Sequence, residues 1–427
     1  MAWHFPQSGT TAPPLADGDD VFVAQQVFLN AEIYAYSGGG HEVNVAGTVA
    51  TNGLAILLGL ETGGANTITV ETTGQVRAFE NGDAVVMYGN EQWLVNHGLI
   101  TQKGATGSAA YFLNTSAAPT TASNLVNSGT MDADKYGVWH DSSAETLTVQ
   151  NSGTITGGTA SFFSTGTSND EITNSGKMIG DVNLGGGDDL YDGRLGTIDG
   201  DVFGDIGQDR LYAGAGNNRL FGQDGNDTLM GGAGADYLSG GSGTDRASYA
   251  SATKAVTVSL ANPSINAGDA KGDTYNSIEN LSGSNYNDNV FGNSAKNSIN
   301  GGVGNDIVKG YAGNDTLTGG TGGDIFVVNT PLNVSSNVDT ITDFNRVDDT
   351  IQLDDAFFVG LAIGVLAGTA FNDIAISAAD ASDRILYNSD TGSLFFDQDG
   401  SGGTYAAVKF AVLTGSPTIT AADFVVI

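Results

Sequence analysis

Short apolar runs separated by turns recur along the first 180 residues at a long interval. A Gly-x-apolar triplet appears at 47–49, 74–76, 98–100, 129–131, 153–155 and 176–178, spaced 23 to 31 residues apart. Two more strand-like runs fit inside most periods, one set at 55–58, 84–87, 110–113, 136–139 and 160–163, the other at 67–70, 92–96, 124–127, 147–151 and 171–174. Three short strands per coil of this length is the period of a right-handed parallel β-helix, in which each coil buries its apolar side chains only by stacking on its neighbours. An Asn-x-Gly series, Asn96, Asn127, Asn151 and Asn174, predicts an internal asparagine ladder that satisfies turn backbone groups.

From residue 204 the period shortens to nine. Residues 204–248 read GDIGQDRLY, AGAGNNRLF, GQDGNDTLM, GGAGADYLS and GGSGTDRAS without insertion. Position one carries Gly204, Gly222, Gly231 and Gly240, and position four carries Gly207, Gly216, Gly225, Gly234 and Gly243. Position six runs Asp209, Asn218, Asp227, Asp236, Asp245, and position eight runs Leu211, Leu220, Leu229, Leu238, Ala247. A second block at 283–327 repeats this as GSNYNDNVF, GNSAKNSIN, GGVGNDIVK, GYAGNDTLT and GGTGGDIFV. There Gly301, Gly310 and Gly319 hold position one, and Gly304, Gly313 and Gly322 hold position four. Position six is Asp288, Asn297, Asp306, Asp315, Asp324, in the same Asp-Asn-Asp-Asp-Asp order, and position eight is Val290, Ile299, Val308, Leu317, Phe326.

The stretches 176–191 and 196–211 align at an offset of 20, with Gly, Asp, Val, Gly and Asp in matching places. A hybrid coil carrying Asp189 is therefore expected to join the two solenoids into one rod over about 20–248. The chain divides on this reading into an N-terminal arm (1–20), a β-helix with hybrid coils (21–203), a first roll (204–248), a spacer or lateral hairpin (249–282), a second roll (283–327) and a C-terminal region (328–427). Alternating runs at 339–344, 385–387, 393–396 and 406–412 predict a compact β cap shielding the last open coil.

Composition narrows the chemistry. The 427 residues hold 48 Asp and Glu against 15 Lys and Arg, a formal net charge of -33, so compaction is opposed by self-repulsion unless something cationic binds. Nucleic acid is excluded as a partner because phosphate recognition rests on Lys and Arg contacts, and anionic membrane surfaces are disfavoured for the same reason. With no cysteine, disulfides, thiol chemistry and Cys-type zinc sites are out. No stretch approaches the roughly 18 apolar residues of a membrane span, and residues 1–20 lack a basic start followed by an apolar run, so neither membrane insertion nor a cleaved N-terminal signal is expected.

The nine-residue unit suits a hard cation. Calcium takes six to eight oxygens and accepts backbone carbonyls beside carboxylates. Glycines at positions one, two and four allow the left-handed backbone angles that turn carbonyls inward, while Asp at position six supplies charge. Residues seven to nine then form a short strand with position eight in the core. Nine residues make half a coil, so Asp209, Asp227 and Asp245 should line one edge of the first block, with Asn218 and Asp236 on the other. In the second block the edges are Asp288, Asp306, Asp324 and Asn297, Asp315.

These two blocks resemble the RTX (repeats-in-toxin) calcium-binding β-roll, a repeat whose calcium binding is a general pattern and not particular to this chain. The resemblance implies several Ca2+ ions and an all-β fold in which a right-handed parallel β-helix continues into calcium-binding parallel β-rolls with a C-terminal β cap. Asn218 and Asn297 offer a neutral oxygen in place of a carboxylate, and Tyr286 and Ala295 break the position-four glycine, so sites using them should be weaker. Residues 383–427 resemble the C-terminal region of RTX proteins exported by type I secretion. That implies an uncleaved C-terminal signal, the type I machinery as a partner and a secreted, extracellular or cell-surface destination, where calcium is plentiful and metal binding stabilises the fold.

Catalysis finds little support. His4, His41, His97 and His140 are scattered, with coil-surface or loop roles expected for the last two, and no HExxH, GxSxG or P-loop pattern occurs. Trp93, Trp139, Phe162 and Phe163 could form a sugar-stacking face but read more simply as core. The segment Asp397-Gln398-Asp399-Gly400 lacks the remaining ligands of an EF-hand and reads as a hairpin turn. The expected function is a secreted calcium-stiffened structural or adhesive protein that meets polysaccharide or a cell surface; the alternative is a polysaccharide lyase or epimerase with catalysis on the β-helix.

Overall fold

The computed structural model describes residues 3–9, 14–16, 19–35, 40–59, 65–114 and 122–427; parts of the 1–20 arm and of the apolar patch ending at Leu60 lie outside the described residues. The chain forms two compact units, one of residues 1–231 with 237–243, the other of 232–236 with 244–427.

In the first unit the predicted runs become stacked parallel strands. Thr67–Val70, Trp93–Asn96, Ser123–Asn127, Leu147–Asn151, Glu171–Asn174, Leu190–Asp192, Arg210–Tyr212 and Thr228–Met230 follow one another in a single ladder. Their register sets Ile68, Leu94, Leu125, Val149, Ile172, Tyr191, Leu211 and Leu229 in one inward column, fully buried throughout. Each large apolar member of such a column contributes about 1.5–3 kcal/mol by leaving water. The Gly-x-apolar triplets open a second ladder, where Gln75–Phe79, Leu99–Lys103, Thr130–Ala133 and Thr154–Ser164 succeed one another. The third run is carried by Ile56–Leu58, Val85–Tyr88, Ser108–Asn114 and Tyr136–Ser142.

The three-strand coil does not persist to residue 203. Thr154–Ser164 is one eleven-residue strand that pairs with both Thr130–Ala133 and Tyr136–Ser142, merging the second and third runs. Its bend falls at Gly157, where an added Cβ would lie 1.7 Å from the Ala160 carbonyl oxygen, so no larger residue fits. Beyond it the coil shortens. Lys177–Asn183 pairs with Thr197–Asp199 and Val202–Ile206, and Val202–Ile206 with Arg219–Asp224. The β-helix thus runs into the first roll through the stretch around Asp189 without a break in either ladder.

The second unit uses the same two-ladder plan. Asn280–Ser282, Ser298–Val303, Thr316–Thr321 and Asp339–Ile341 form one face. Thr257–Ser259, Asn289–Phe291, Ile307–Lys309, Ile325–Val328, Thr350–Leu353 and Phe424–Val426 form the other. Residues 249–282, read from sequence as a spacer or lateral hairpin, therefore contribute rungs to the stack, and of a hairpin only a lone antiparallel bridge between Thr257 and Ala267 is present. Their irregular spacing conceals strands whose pairing is regular. The cap is an antiparallel meander of Ile385–Asn388, Ser393–Phe396 and Val408–Leu413, whose last strand pairs parallel with Asp339–Ile341. Phe358 fills it, edge-on to Phe396 and Phe410 at 5.1 and 5.2 Å. Asp397 and Asp399 lie in the meander's connection, where the Asp399 carboxylate accepts the Thr404 N–H at 2.8 Å, as a turn requires.

Candidate metal centre

Each nine-residue unit is a turn followed by a short strand, and different glycines serve different needs. Position four takes positive φ in Gly207 (148°), Gly216 (118°), Gly225 (142°), Gly234 (155°), Gly243 (138°), Gly304 (133°), Gly313 (134°) and Gly322 (137°), a region closed to side chains. Tyr286 and Ala295 do not adopt it. Position one does not need that freedom, contrary to the sequence expectation; it needs space. A Cβ on Gly204 would lie 2.2 Å from Asp209 Oδ2 and 2.8 Å from the Gly222 carbonyl oxygen, and one on Gly222 would meet Asp227 Oδ2 at 2.1 Å and the Gly240 oxygen at 2.7 Å. The same cradle recurs at Gly301 with Asp306 and the Gly319 oxygen (2.4 and 2.6 Å), and at Gly310 and Gly319 with Asp315 and Asp324 (2.1 and 2.3 Å).

Position six forms carboxylate ladders. The Asp209 N–H donates to Asp227 Oδ1 at 2.8 Å across 18 residues, two repeats apart. One coil earlier, the Asp189 N–H donates to Asp209 Oδ1 at 2.8 Å, and before it the Asp170 N–H donates to Asp189 Oδ1. In the second unit Asp288 and Asp306 donate in turn to Asp306 and Asp324 at 2.7 and 2.9 Å, and Asp324 donates to Asp349 at 2.8 Å. The other edge runs from Asn297 to Asp315 to Asp339 at 2.8 and 3.1 Å. Asp236 donates to Asp273, and Asp245 to Glu279, both at 2.8 Å. Carboxylates two repeats apart are thus linked through backbone N–H groups, and each spends one oxygen on the link.

The other oxygen is the informative one. Oδ2 of Asp189, Asp209, Asp306 and Asp315 is buried and accepts no hydrogen bond. A buried oxygen without a donor costs about 1–3 kcal/mol, more when charged. Burial first, and neighbouring carboxylates in part, push Asp189 up to about 9, and Asp209 and Asp306 to about 7. Asp315 rises to about 6, chiefly by burial. The Gly222 and Gly319 carbonyl oxygens share the Gly204 and Gly301 cradles with Asp209 and Asp306, and among the described residues no three His, Asp or Glu side chains form a metal cluster. A carboxylate oxygen with a backbone carbonyl beside it offers oxygen donors to a hard, oxygen-seeking cation, and it fits calcium. Zinc, which prefers nitrogen and sulfur, is not suited.

Several ladder members escaped the sequence reading: Asp170, Asp273, Glu279, Asp339 and Asp349 fall outside the nine-residue frame. Asp273-Thr-Tyr, Asp339-Thr-Ile and Asp349-Thr-Ile share with the repeats an acidic residue two places before an inward apolar one, the signal that could have found them. His140 is a correction of another kind. Expected on a surface or loop, it is 1% exposed in Tyr136–Ser142, with Nδ1 2.8 Å from Asp170 Oδ2. His97 does lie at the surface, against Ser128 Oγ at 2.6 Å.

Of the aromatic residues, Phe162 is core, whereas Trp93 is 42% exposed. Trp139 stacks on Tyr111 at 4.4 Å and Phe163 on Tyr136 at 4.5 Å, with the ring planes nearly parallel in both cases. Each of these rings spends one face on its partner.

A family model for the RTX calcium-binding nonapeptide repeat (4 copies) matches residues 203–238, 212–247, 274–308 and 291–326. No curated protein matches the chain.

Proposed function

From RTX calcium-binding nonapeptide repeats within residues 203–326, which imply Ca2+ binding, we propose a secreted structural or adhesive protein whose repeats fold on several calcium ions. The observation that carries this reading is the set of buried Asp oxygens with no donor, those of Asp209 and Asp306 cradled beside a glycine carbonyl. Asp209, Asp306 and Asp315, with the carbonyls of Gly222 and Gly319 beside the first two, would hold the metal. Bound there, calcium supplies the positive charge that lets closely stacked carboxylates ionise without repulsion. The chain's own residues do the rest: position-four glycines turn the backbone, position-one glycines leave room, and the position-eight column holds the strands in register.

Export through a type I machinery follows from the resemblance of residues 383–427, and an unfolded calcium-poor state would suit a chain threaded through a channel. The role outside the cell is stiffening or attachment, which an acidic, calcium-loaded solenoid would supply. Far-UV circular dichroism of the purified protein, with calcium and with a strong chelator, tests the metal dependence; a β signal indifferent to chelation would defeat it. Deletion of the last ~60 residues, with the protein then assayed inside and outside the cell, tests the route; normal export would refute it. Incubation with acidic polysaccharides distinguishes attachment from catalysis, since new reducing or unsaturated ends would replace the adhesive reading with a lyase.

A further inference from the structure

Not every ladder oxygen lacks a donor, and the exceptions are systematic. At Asp170, one carboxylate oxygen takes the Leu147 N–H at 3.0 Å, and the other is held by His140 Nδ1 at 2.8 Å. At Asp273, one oxygen takes the Asp236 N–H and the other the Tyr249 hydroxyl at 2.7 Å. At Asp288, one oxygen takes the Val256 N–H at 2.7 Å and the other both the Ser284 N–H and the Ser284 hydroxyl, the latter at 2.8 Å. All three carboxylates are buried to 2% exposure or less. The second oxygens of Asp189, Asp209, Asp306 and Asp315, buried alike, have no such partner.

Asn218 completes the pattern from the opposite side. Its Nδ2 lies 3.3 Å from the Gly214 oxygen, 3.2 Å from the Gly216 oxygen and 3.3 Å from the Gly231 oxygen. Gly231 opens the repeat two units on, so it corresponds to Gly222 beside Asp209. Three carbonyls that converge on one point are a cation's surroundings, and here they converge on an amide N–H2. The asparagine carries its own positive pole into the place where an aspartate would need a metal.

We propose that internal hydrogen-bond donors select which rungs take calcium. Where the chain supplies an imidazole, a hydroxyl or a side-chain amide to the position, the rung is satisfied without an ion. Calcium is confined to rungs whose second carboxylate oxygen has no donor, Asp189 in the hybrid coil among them. The physics is a competition for one place: calcium must recruit six or more oxygens, and a carboxylate with both oxygens bonded, or a neutral amide donating to the surrounding carbonyls, lowers both the charge and the number of oxygens on offer. The donors lie at Asp170 and Asp288, which open their ladders, and at Asp273, where the ladder from Asp236 ends. They give the ladders ends that stand without metal.

This inference rests on the calcium reading, and its test separates the two. Bound calcium per chain is measured by equilibrium dialysis and metal analysis at saturating free calcium, for wild type, Tyr249→Phe and Asn218→Asp. The first variant removes only the oxygen that occupies Asp273, and the second replaces the amide donor with a carboxylate. Each is expected to bind one calcium more than wild type, with circular dichroism in calcium confirming the fold; if one variant fails to fold, the other carries the test. Folded variants that keep the wild-type stoichiometry would overturn the proposal while leaving the calcium reading intact. A wild type that binds no calcium would sink the calcium reading itself.

Discussion

A carboxylate that accepts one hydrogen bond and cannot find a second is an expensive group to bury, and the repeats bury it again and again. The cost has a sign in pH. Asp189, Asp209, Asp306 and Asp315 are raised in the fold above the ordinary unfolded carboxylate value of about 3.9. Without calcium, their contribution to stability is full below about pH 4 and is lost as pH climbs through the folded values, from about 6 to about 9. In chelator the repeats are therefore expected to hold more of their β signal at pH 5.5 than at pH 8, read by far-UV circular dichroism. A calcium-loaded protein should show the reverse trend, with stability falling on acidification as protons compete for the same oxygens.

The position-one glycine gives a second test at this scale. Gly204→Ala drives a methyl into Asp209 Oδ2, where 2.2 Å separates the ideal positions. The expected loss is about 1–3 kcal/mol in calcium, measured by denaturant unfolding, together with weaker calcium affinity. Asp306→Asn should instead remove about one bound calcium per chain at little steric cost, read by the same dialysis measurement. The sequence made the column of aspartates plain but not the division of labour between its two oxygens, because that depends on what stands two repeats away. His140 was misjudged for the same reason: its partner Asp170 is 30 residues distant in the chain.

Between strands, two ladder chemistries meet in the first unit. Asn96, Asn127, Asn151 and Asn174 are buried and linked side chain to side chain at 2.8, 2.7 and 2.8 Å. Asn96, Asn127 and Asn151 each also donate at 3.2 Å to the carbonyl of the residue that opens a strand of the second ladder. An amide both gives and accepts, so this ladder closes on itself, whereas an aspartate ladder only accepts and looks outward for charge. Asn127→Ala, which strands a donor on one side and an acceptor on the other, should cost about 1–3 kcal/mol whether or not calcium is present. A calcium-dependent loss, followed by chemical denaturation in both conditions, would contradict this account. The strands themselves were largely legible: Thr67–Val70, Leu147–Asn151 and Glu171–Asn174 fall where the pattern put them. The fusion in Thr154–Ser164 was not, since apolar spacing on either side of Gly157 and Gly158 looks the same whether the chain bends or breaks.

For the molecule as a whole, a formal charge of -33 acts against every folded state and most strongly where carboxylates are stacked. Chelation should therefore not act evenly. The asparagine-laddered coils before about residue 165 are expected to keep their β signal, while the repeats at 204–248 and 283–327 lose theirs. Limited proteolysis in chelator should accordingly cut first within the repeats, as identified by mass spectrometry. Cuts distributed evenly along the chain would show that the two ladder chemistries do not differ in this respect.

Pairing across 18 residues has a consequence of parity. In the second unit, successive nine-residue repeats alternate between the ladder of Ser298–Val303 and Thr316–Thr321 and the ladder of Ile307–Lys309 and Ile325–Val328. Excising a single repeat, 301–309, would send every later strand to the opposite face and bring Asp339–Ile341 and the cap to the wrong side. Excising the pair 301–318 would return each to its own face, one turn shorter. Even-numbered losses and gains are thus the silent ones, and the shorter deletion should be the more damaging of the two.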